Sequence, residues 1–396
     1  MTAGEADDPE VGGGGTQWRS RSPETAADRS SDSDDAQAEP AEFRTYGSRT
    51  ASLLTTASHA TEAEVEPMSP ALSFLVEPTH TGHTREYLRA FSRAMKGAGL
   101  SPRPRNRLTW WISRLGATLR LERHFMRLGS DAQVVAVAWP RDGGGFPQVL
   151  WSEVIPYVSD CWPADYDRWA SKLRRMQPRV VFVSARGSAD YLRGRLPNTV
   201  VHWLPEAIDA DDWDSSRPLT TRGVDVLELG RKHPRYHEQI TGRLGDGVSH
   251  RFARAGSHTP VFPGEAALRA GLADTKIQIC FPKSITHPLR APDRGAGAGG
   301  LETVTQRYFE AIASGSLVVG HGPRELVDLF GYDPVIAADL EQPAEQLHEL
   351  LDGIEQHQPF VDRNLARLRE VGTWDARVAE LLQVLAERGY EVPRGE

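Results

Sequence analysis

The sequence predicts an α/β protein of two doubly wound, Rossmann-like domains behind a disordered acidic tail. Three observations carry that prediction. Short apolar runs such as 72–77 (LSFLVE) and 179–185 (RVVFVSA) alternate with helix-length amphipathic stretches, the pattern of a parallel sheet covered by helices. The pattern stops at an acidic, Pro- and Ser-containing stretch, 205–222, and restarts at 224–229. Finally, 302–315 (ETVTQRYFEAIASG) reads as a helix whose terminal Gly315 feeds straight into a buried strand, 316–320. The expected division is a tail over 1–67, a first domain over 68–204, a linker over 205–222 and a second domain with terminal helices over 223–396.

Composition bounds the function. Of 396 residues, 39% are hydrophobic and 25% charged, which suits a globular chain once a polar tail is set aside. Residues 1–66 hold fourteen carboxylates against five arginines, −9, which leaves the rest of the chain at +1 of the total −8. The folded part is near neutral, so a general nucleic-acid binder is not expected. The tail buries too little apolar surface to offset its ordering entropy. It also lacks the apolar stretch of a secretory signal, and Met68, just before the first strand, is a candidate start. No apolar run reaches the length of a membrane span, although peripheral membrane contact stays open. Cys161 and Cys280, the only cysteines, are too few for a disulfide framework or a cysteine-based zinc site. They are expected as small buried residues near strand ends in a reducing cytoplasm.

In order, strand 72–77 leads through Pro78–His83 to a helix from about 84 to 96 with Leu88, Phe91 and Met95 as its stripe. Strand, glycine-containing loop and helix form the opening unit of a doubly wound domain, whose site lies at the strand's C-terminal end. His80, Gly82 and His83 occupy that loop and are candidate contacts, or surface residues. A long helix over 105–128, a strand over 132–138 and a glycine-rich loop follow. The strand 154–158 ends at Asp160 and Trp162, which would line a ligand pocket or simply cap and pack a helix start. A helix over 164–176, the strand 179–185, another helix to 195 and a strand over 199–204 complete the first domain. In the second, 224–229 is followed by Gly230, Arg231, Lys232, His233, Pro234 and Arg235. Strand 276–281 ends beside Lys283, again where a doubly wound sheet binds ligands. The loop 290–300 is glycine-rich and lacks the lysine-containing phosphate-loop motif. A helix near Glu325, a short strand near Val335 and helices over 342–354, 360–371 and 374–388 close the chain.

The decisive segment holds Glu302 and, eight residues on, Glu310, a little over two helical turns apart and so near one face. Two solvent-facing acids on an amphipathic helix would show the same spacing. With Ala311, Ile312, Ala313, Ser314 and Gly315 the segment resembles the donor-binding motif of retaining GT-B glycosyltransferases. Thr303, Val304 and Thr305 stand where that family usually has Gly-Phe-Gly. Residues 203–209 resemble the hinge by which GT-B chains leave their first domain, and 373–377 the terminal-helix entrance of spore-coat-type glycosyltransferases.

The resemblance implies two domains facing a cleft and retaining transfer from a nucleotide-diphosphate sugar to an acceptor hydroxyl. The acceptor would be a polysaccharide, a glycolipid or a natural product. Glu310 would hold the ribose and Glu302 the donor sugar. Arg231, with Lys232 or Arg235, would bind the diphosphate, unless these form a basic surface turn. Lys283 would share in stabilising the leaving group, and Thr303, Thr305 and Arg307 would flank the nucleotide. His80, Gly82, His83, Asp160 and Trp162 would face the acceptor, His83 among the catalytic group. No metal and no cofactor are expected, since Asp211, Asp212 and Asp214 lie in the linker rather than at a strand end. Two rivals stay open: a nucleotide-sugar epimerase, which needs a second acid in the first domain's cleft, and a degenerate module that binds without turnover. A plain NAD enzyme lacks its glycine fingerprint after the first strand.

Overall fold

The computed structural model describes residues 72–76, 83–104, 108, 111, 112, 115, 132–138, 152–254, 260–287 and 297–393. The tail, His80, Gly82 and most of the expected helix 105–128 lie outside these residues.

Two all-parallel sheets form. The first holds β1 (Ser73–Val76), β2 (Ser101–Pro104), β3 (Gln133–Ala138), β4 (Glu153–Val158), β5 (Val180–Val183) and β6 (Val200–Trp203), in the order β2-β1-β3-β4-β5-β6. The second holds β7 (Val224–Glu228), β8 (His250–Phe252), β9 (Thr275–Cys280), β10 (Leu317–Gly320) and β11 (Ile336–Ala337), in the order β11-β10-β9-β7-β8. Central strands are buried throughout, as VVFV in β5 and LVVG in β10 show. That is why they read as continuous apolar runs rather than alternating ones.

Helices cover both faces. In the first half α1 (His83–Gly97) lies on one face, and α2 (Tyr166–Met176) and α3 (Arg186–Arg195) lie on the other. In the second, α4 (Pro234–Arg243) packs with α9 (Pro343–Asp352), and α5 (Gly264–Ala273) with α7 (Gln306–Ala313). The short α6 (Lys283–Thr286) follows β9, and α8 (Arg324–Phe330) follows β10. Next come α10 (Gln358–Val371) and α11 (Trp374–Glu387). Although α11 follows the second sheet in sequence, it packs on the first. Trp374, Val378, Leu381 and Leu385 share a core with Phe74, Phe91 and Tyr157. The chain therefore crosses between the halves twice, and the crossings pair. Ile208 N donates to Gly372 O at 3.0 Å and Trp374 N to Ile208 O at 3.1 Å.

One expected element shifts in a way that matters for the site. The helix expected from Glu302 begins at Gln306, behind an extended Thr305 with φ −125° and ψ 158°. Thr303, Val304 and Thr305 are β-branched, which disfavours the helix and suits extended backbone. Gly315 ends it with φ +68°, as its position suggested. Strand β8 and helices α4 and α5 are elements for which the sequence reading named no candidate. Among the described residues no helix is long and apolar enough to cross a membrane. Both cysteines are free and buried, as expected.

Candidate active site

The C-terminal ends of β4 and β5 meet those of β7 and β9 across a cleft floored by residues 301–305. Asp160, Trp162, Ser184, Glu206, Thr303 and Thr305 are among the residues lining a cavity there.

The first wall is the turn after β4. Asp160 has φ +53°, one of two non-glycine residues with positive φ among the described residues. Such a conformation costs of order 1 kcal/mol and concentrates at functional sites. It turns the carboxylate so that Oδ1 accepts from Trp162 Nε1 at 3.3 Å. The two candidate acceptor residues are thereby fixed to one another.

The second wall carries cations. Gly230, with φ +76°, ends the strand β7 segment; a Cβ there would stand 2.9 Å from Arg307 Nη2. Only glycine admits both the backbone conformation and the guanidinium. Arg307 Nη1 in turn donates to Arg231 O at 3.4 Å. The Arg231 side chain is half-buried, and its Nε has no partner among the described residues. Burial, then the neighbouring Arg307, lowers the guanidinium pKa to about 10. Lys283 opens α6, and its Nζ lies 3.9 Å from the centroid of the Trp162 ring on the opposite wall. Burial, then Arg231, lowers its pKa too. Gathering Arg231, Lys283 and Arg307 costs repulsion and desolvation, and an arriving anion relieves both.

The floor is held by Glu325 of α8, which is 4% exposed. Its Oε1 accepts from Arg186 N at 2.7 Å, and its Oε2 from Thr303 Oγ1 at 2.8 Å and Val304 N at 3.0 Å. Three donors from both halves thus converge on one carboxylate. Burial is the larger influence on it and raises its pKa.

The acid pair separates. Glu310 lies half-buried on α7, close enough for its charge to be felt at Glu206 and Cys280. Glu302 precedes the helix, so the two do not share a helical face. Glu302 Oε2 lies 3.0 Å from His321 Nε2, and Oε1 accepts from Arg324 N at 2.9 Å at the start of α8.

Of the other candidates, Thr305 lines the cavity while the Thr303 hydroxyl is spent on Glu325. Lys232 and Arg235 do not join Arg231. Lys232 Nζ donates to Ala253 O and lies 5.3 Å from the Phe252 ring centroid, drawn to the β8 edge. Arg235 faces Glu341 at 3.7 Å on the surface, because Pro234 turns the chain into α4 at that point. The companions of Arg231 are Arg307 and Lys283 instead. His83 is the first residue of α1. Glu206 and Glu325 escaped the sequence reading. The one signal for Glu206 was a lone acid inside the apolar stretch Leu204, Pro205, Ala207 and Ile208.

No protein-family model matches the chain, and no curated protein matches it in sequence. Solved structures match its fold. Anabaena Alr3699/HepE in complex with UDP-glucose is similar at TM-score 0.51 and 11% identity, over 80% of this chain and 99% of its own. Sucrose-phosphate synthase from Thermosynechococcus elongatus is similar at 0.50 and 11%, over 81% and 99%. An α-glucosyltransferase in complex with UDP and a 13-mer DNA is similar at 0.50 and 9%, over 80% and 100%. At such identities the likeness is one of architecture, and the architecture is GT-B: two parallel, Rossmann-like sheets with a cleft between their strand ends.

Proposed function

We propose that this chain is a glycosyltransferase that moves a sugar from a nucleotide-diphosphate sugar to an acceptor hydroxyl. The observation that carries the reading is the convergence of Arg231, Lys283 and Arg307 opposite Asp160 and Trp162 in a GT-B cleft. The solved relatives support the donor class, since two of them hold UDP-glucose or UDP. The cations grip the diphosphate and take up the charge that develops as it departs, which supplies what a transferase without a metal requires. Glu310 accepts from the ribose hydroxyls. Glu302, oriented by His321 and the Arg324 amide, sits beside the transferred sugar. Asp160, Trp162 and the α1 entrance at His83 receive the acceptor, with Trp162 offering its ring face to a sugar. Transfer with retention is what the resemblance of the Glu302–Glu310 segment implies.

Thermal shift with UDP, GDP, TDP, CMP and NAD, on the protein and on Arg231→Ala, tests the donor site. A rise in melting temperature with one nucleoside diphosphate, abolished in the variant, is expected. No rise with any nucleotide would remove the reading.

Asp160 and Glu206 favour one second reading, a nucleotide-sugar epimerase, because they place two carboxylates in the first half's side of the cleft. That enzyme would exchange a sugar C–H hydrogen with solvent in the absence of any acceptor. Incubation of donor in deuterated water, followed by mass spectrometry of the sugar, separates the two. Chelation of divalent metals is expected to leave transfer intact.

A further inference from the structure

Glu206 leaves β6 behind Pro205 at the crossing between the sheets, with Leu204, Ala207 and Ile208 buried around it. Its backbone is therefore fixed, and its side chain reaches across the crossing. Oε2 accepts from Gln306 N, the first amide of the eight-residue α7, at 3.1 Å. The carboxyl group also lines the cleft cavity with Asp160 and Trp162. A carboxylate on a helix N-terminus is ordinarily favoured in its ionised form. Here the surroundings act against that. The carboxylates of Asp160 after β4, Glu310 on α7 and Glu325 on α8 face it. The Tyr87 and Tyr157 hydroxyls lie beneath it, and Arg231 is the cation on its side. Burial and then Asp160 outweigh the Gln306 amide and push its pKa up to about 8.

Glu206 therefore occupies a helix-terminal amide beside Arg231, a cation that a phosphate would seek. Resting on the nucleoside-diphosphate reading above, we propose that Glu206 is a ligand-contacting residue of that site. It meets the diphosphate as a neutral acid, ceding the Gln306 amide to a phosphate oxygen and donating its own hydroxyl hydrogen to the ligand. No bond other than the O–H forms or breaks, and the proton comes from solvent. Anion binding and protonation of Glu206 then favour one another, and the linkage is reciprocal.

Isothermal titration with UDP, held as such or as UDP-glucose by two of the similar solved structures, reads this directly. Affinity is expected to hold steady up to about pH 7.5 and to weaken above about pH 8 by up to about tenfold per pH unit. At pH 8.5, two buffers of different ionisation enthalpy are expected to report uptake of most of one proton. Glu206→Gln keeps the shape without the charge, so its affinity should stay flat from pH 7 to 9 with no uptake at Glu206. Any slope left in that variant belongs to Lys283. Where the variant does not fold, the same buffer comparison on Lys283→Met, which removes the other group able to take up a proton, assigns the uptake to Glu206. UDP binding without proton uptake, or the same slope in both proteins, overturns the role of Glu206 and leaves the donor site standing. Failure of every nucleoside diphosphate to bind overturns the donor site and this inference with it.

Discussion

The two walls of the cleft are made by the same parallel-sheet logic from signals of different range. On the second wall two of the three cations follow their own strands. Arg231 comes just past β7, Lys283 just past β9, and Arg307 one residue into α7. On the first wall Asp160 is held by its near neighbour Trp162, but the reach of Glu206 to the Gln306 amide joins residues far apart in the chain. The cores repeat that contrast. The second sheet is covered by helices adjacent to it in sequence, whereas the first borrows α11 from the far end of the chain. Local chemistry is legible along a strand end; chemistry made by a chain crossing appears only once the crossing is built.

The sharpest way to break this comparison is to remove the borrowed element's anchor. Trp374 is 2% exposed and lies 5.0 Å, centroid to centroid, from both Tyr87 and Phe91. Trp374→Ala is expected to cost about 3–5 kcal/mol of stability, the usual range for emptying such a site. Urea denaturation would show it. A loss below about 1 kcal/mol would mean that the first sheet is complete without α11.

Arg231→Ala tests the second wall. Loss of a charge-assisted contact in a half-buried setting is expected to weaken nucleoside diphosphate binding by about 2–3 kcal/mol, a thirtyfold effect or more. Arg231→Lys would recover only part of it, since the planar fork is lost. Titration calorimetry distinguishes both from the parent protein.

A smaller effect belongs to the crossing itself. The folded-state pKa of Glu206, about 8, stands above its ordinary value of 4.5. The contribution of Glu206 to stability is therefore fully present below about pH 4.5 and declines as the unfolded chain ionises. The loss is complete once pH passes the folded value near 8. Discounted for the water that reaches a half-buried carboxyl, the slope amounts to about 1–2 kcal/mol. Glu206→Gln is expected to flatten the melting temperature between pH 5 and 8.

How far the sequence could be read follows from these distances. The strands β5, β7, β9 and β10 were legible because burial on both faces leaves an uninterrupted apolar run. Strand β2 was not, since Ser101, Pro102, Arg103 and Pro104 form an edge where proline is tolerated and apolar residues are unnecessary. Glu302 and Glu310 were found, but their shared helical face was not real. A spacing rule assumes that the helix has already begun, and three β-branched residues delay it until Gln306. Arg231 and Lys283 were singled out as candidates from their place after a strand. Arg307 was also a candidate, but its place beside Arg231 shows only in its contacts with Gly230 and the Arg231 carbonyl. Lys232 and Arg235 lie apart from Arg231, toward Ala253 and Glu341, because neighbouring charges in sequence need not point the same way.

That divergence yields the smallest effect and the cleanest control. If proximity in sequence governed the anion site, Lys232→Ala and Arg235→Ala would weaken nucleotide binding about as much as Arg231→Ala. If the observed side-chain directions govern it, Arg235→Ala changes binding by no more than about 0.5 kcal/mol. A surface pair with Glu341 contributes little to anything. Lys232→Ala removes a contact to Ala253 O at the β8 edge, so its effect should fall on stability before it falls on affinity. Arg307→Ala, by contrast, should approach the loss seen at Arg231, since its guanidinium packs against Gly230 and donates to Arg231 O. Equal affinities for Arg235→Ala and the parent protein, alongside a clear loss in Arg307→Ala, would mean that the anion site is assembled by the fold around one strand end rather than by a run of basic residues.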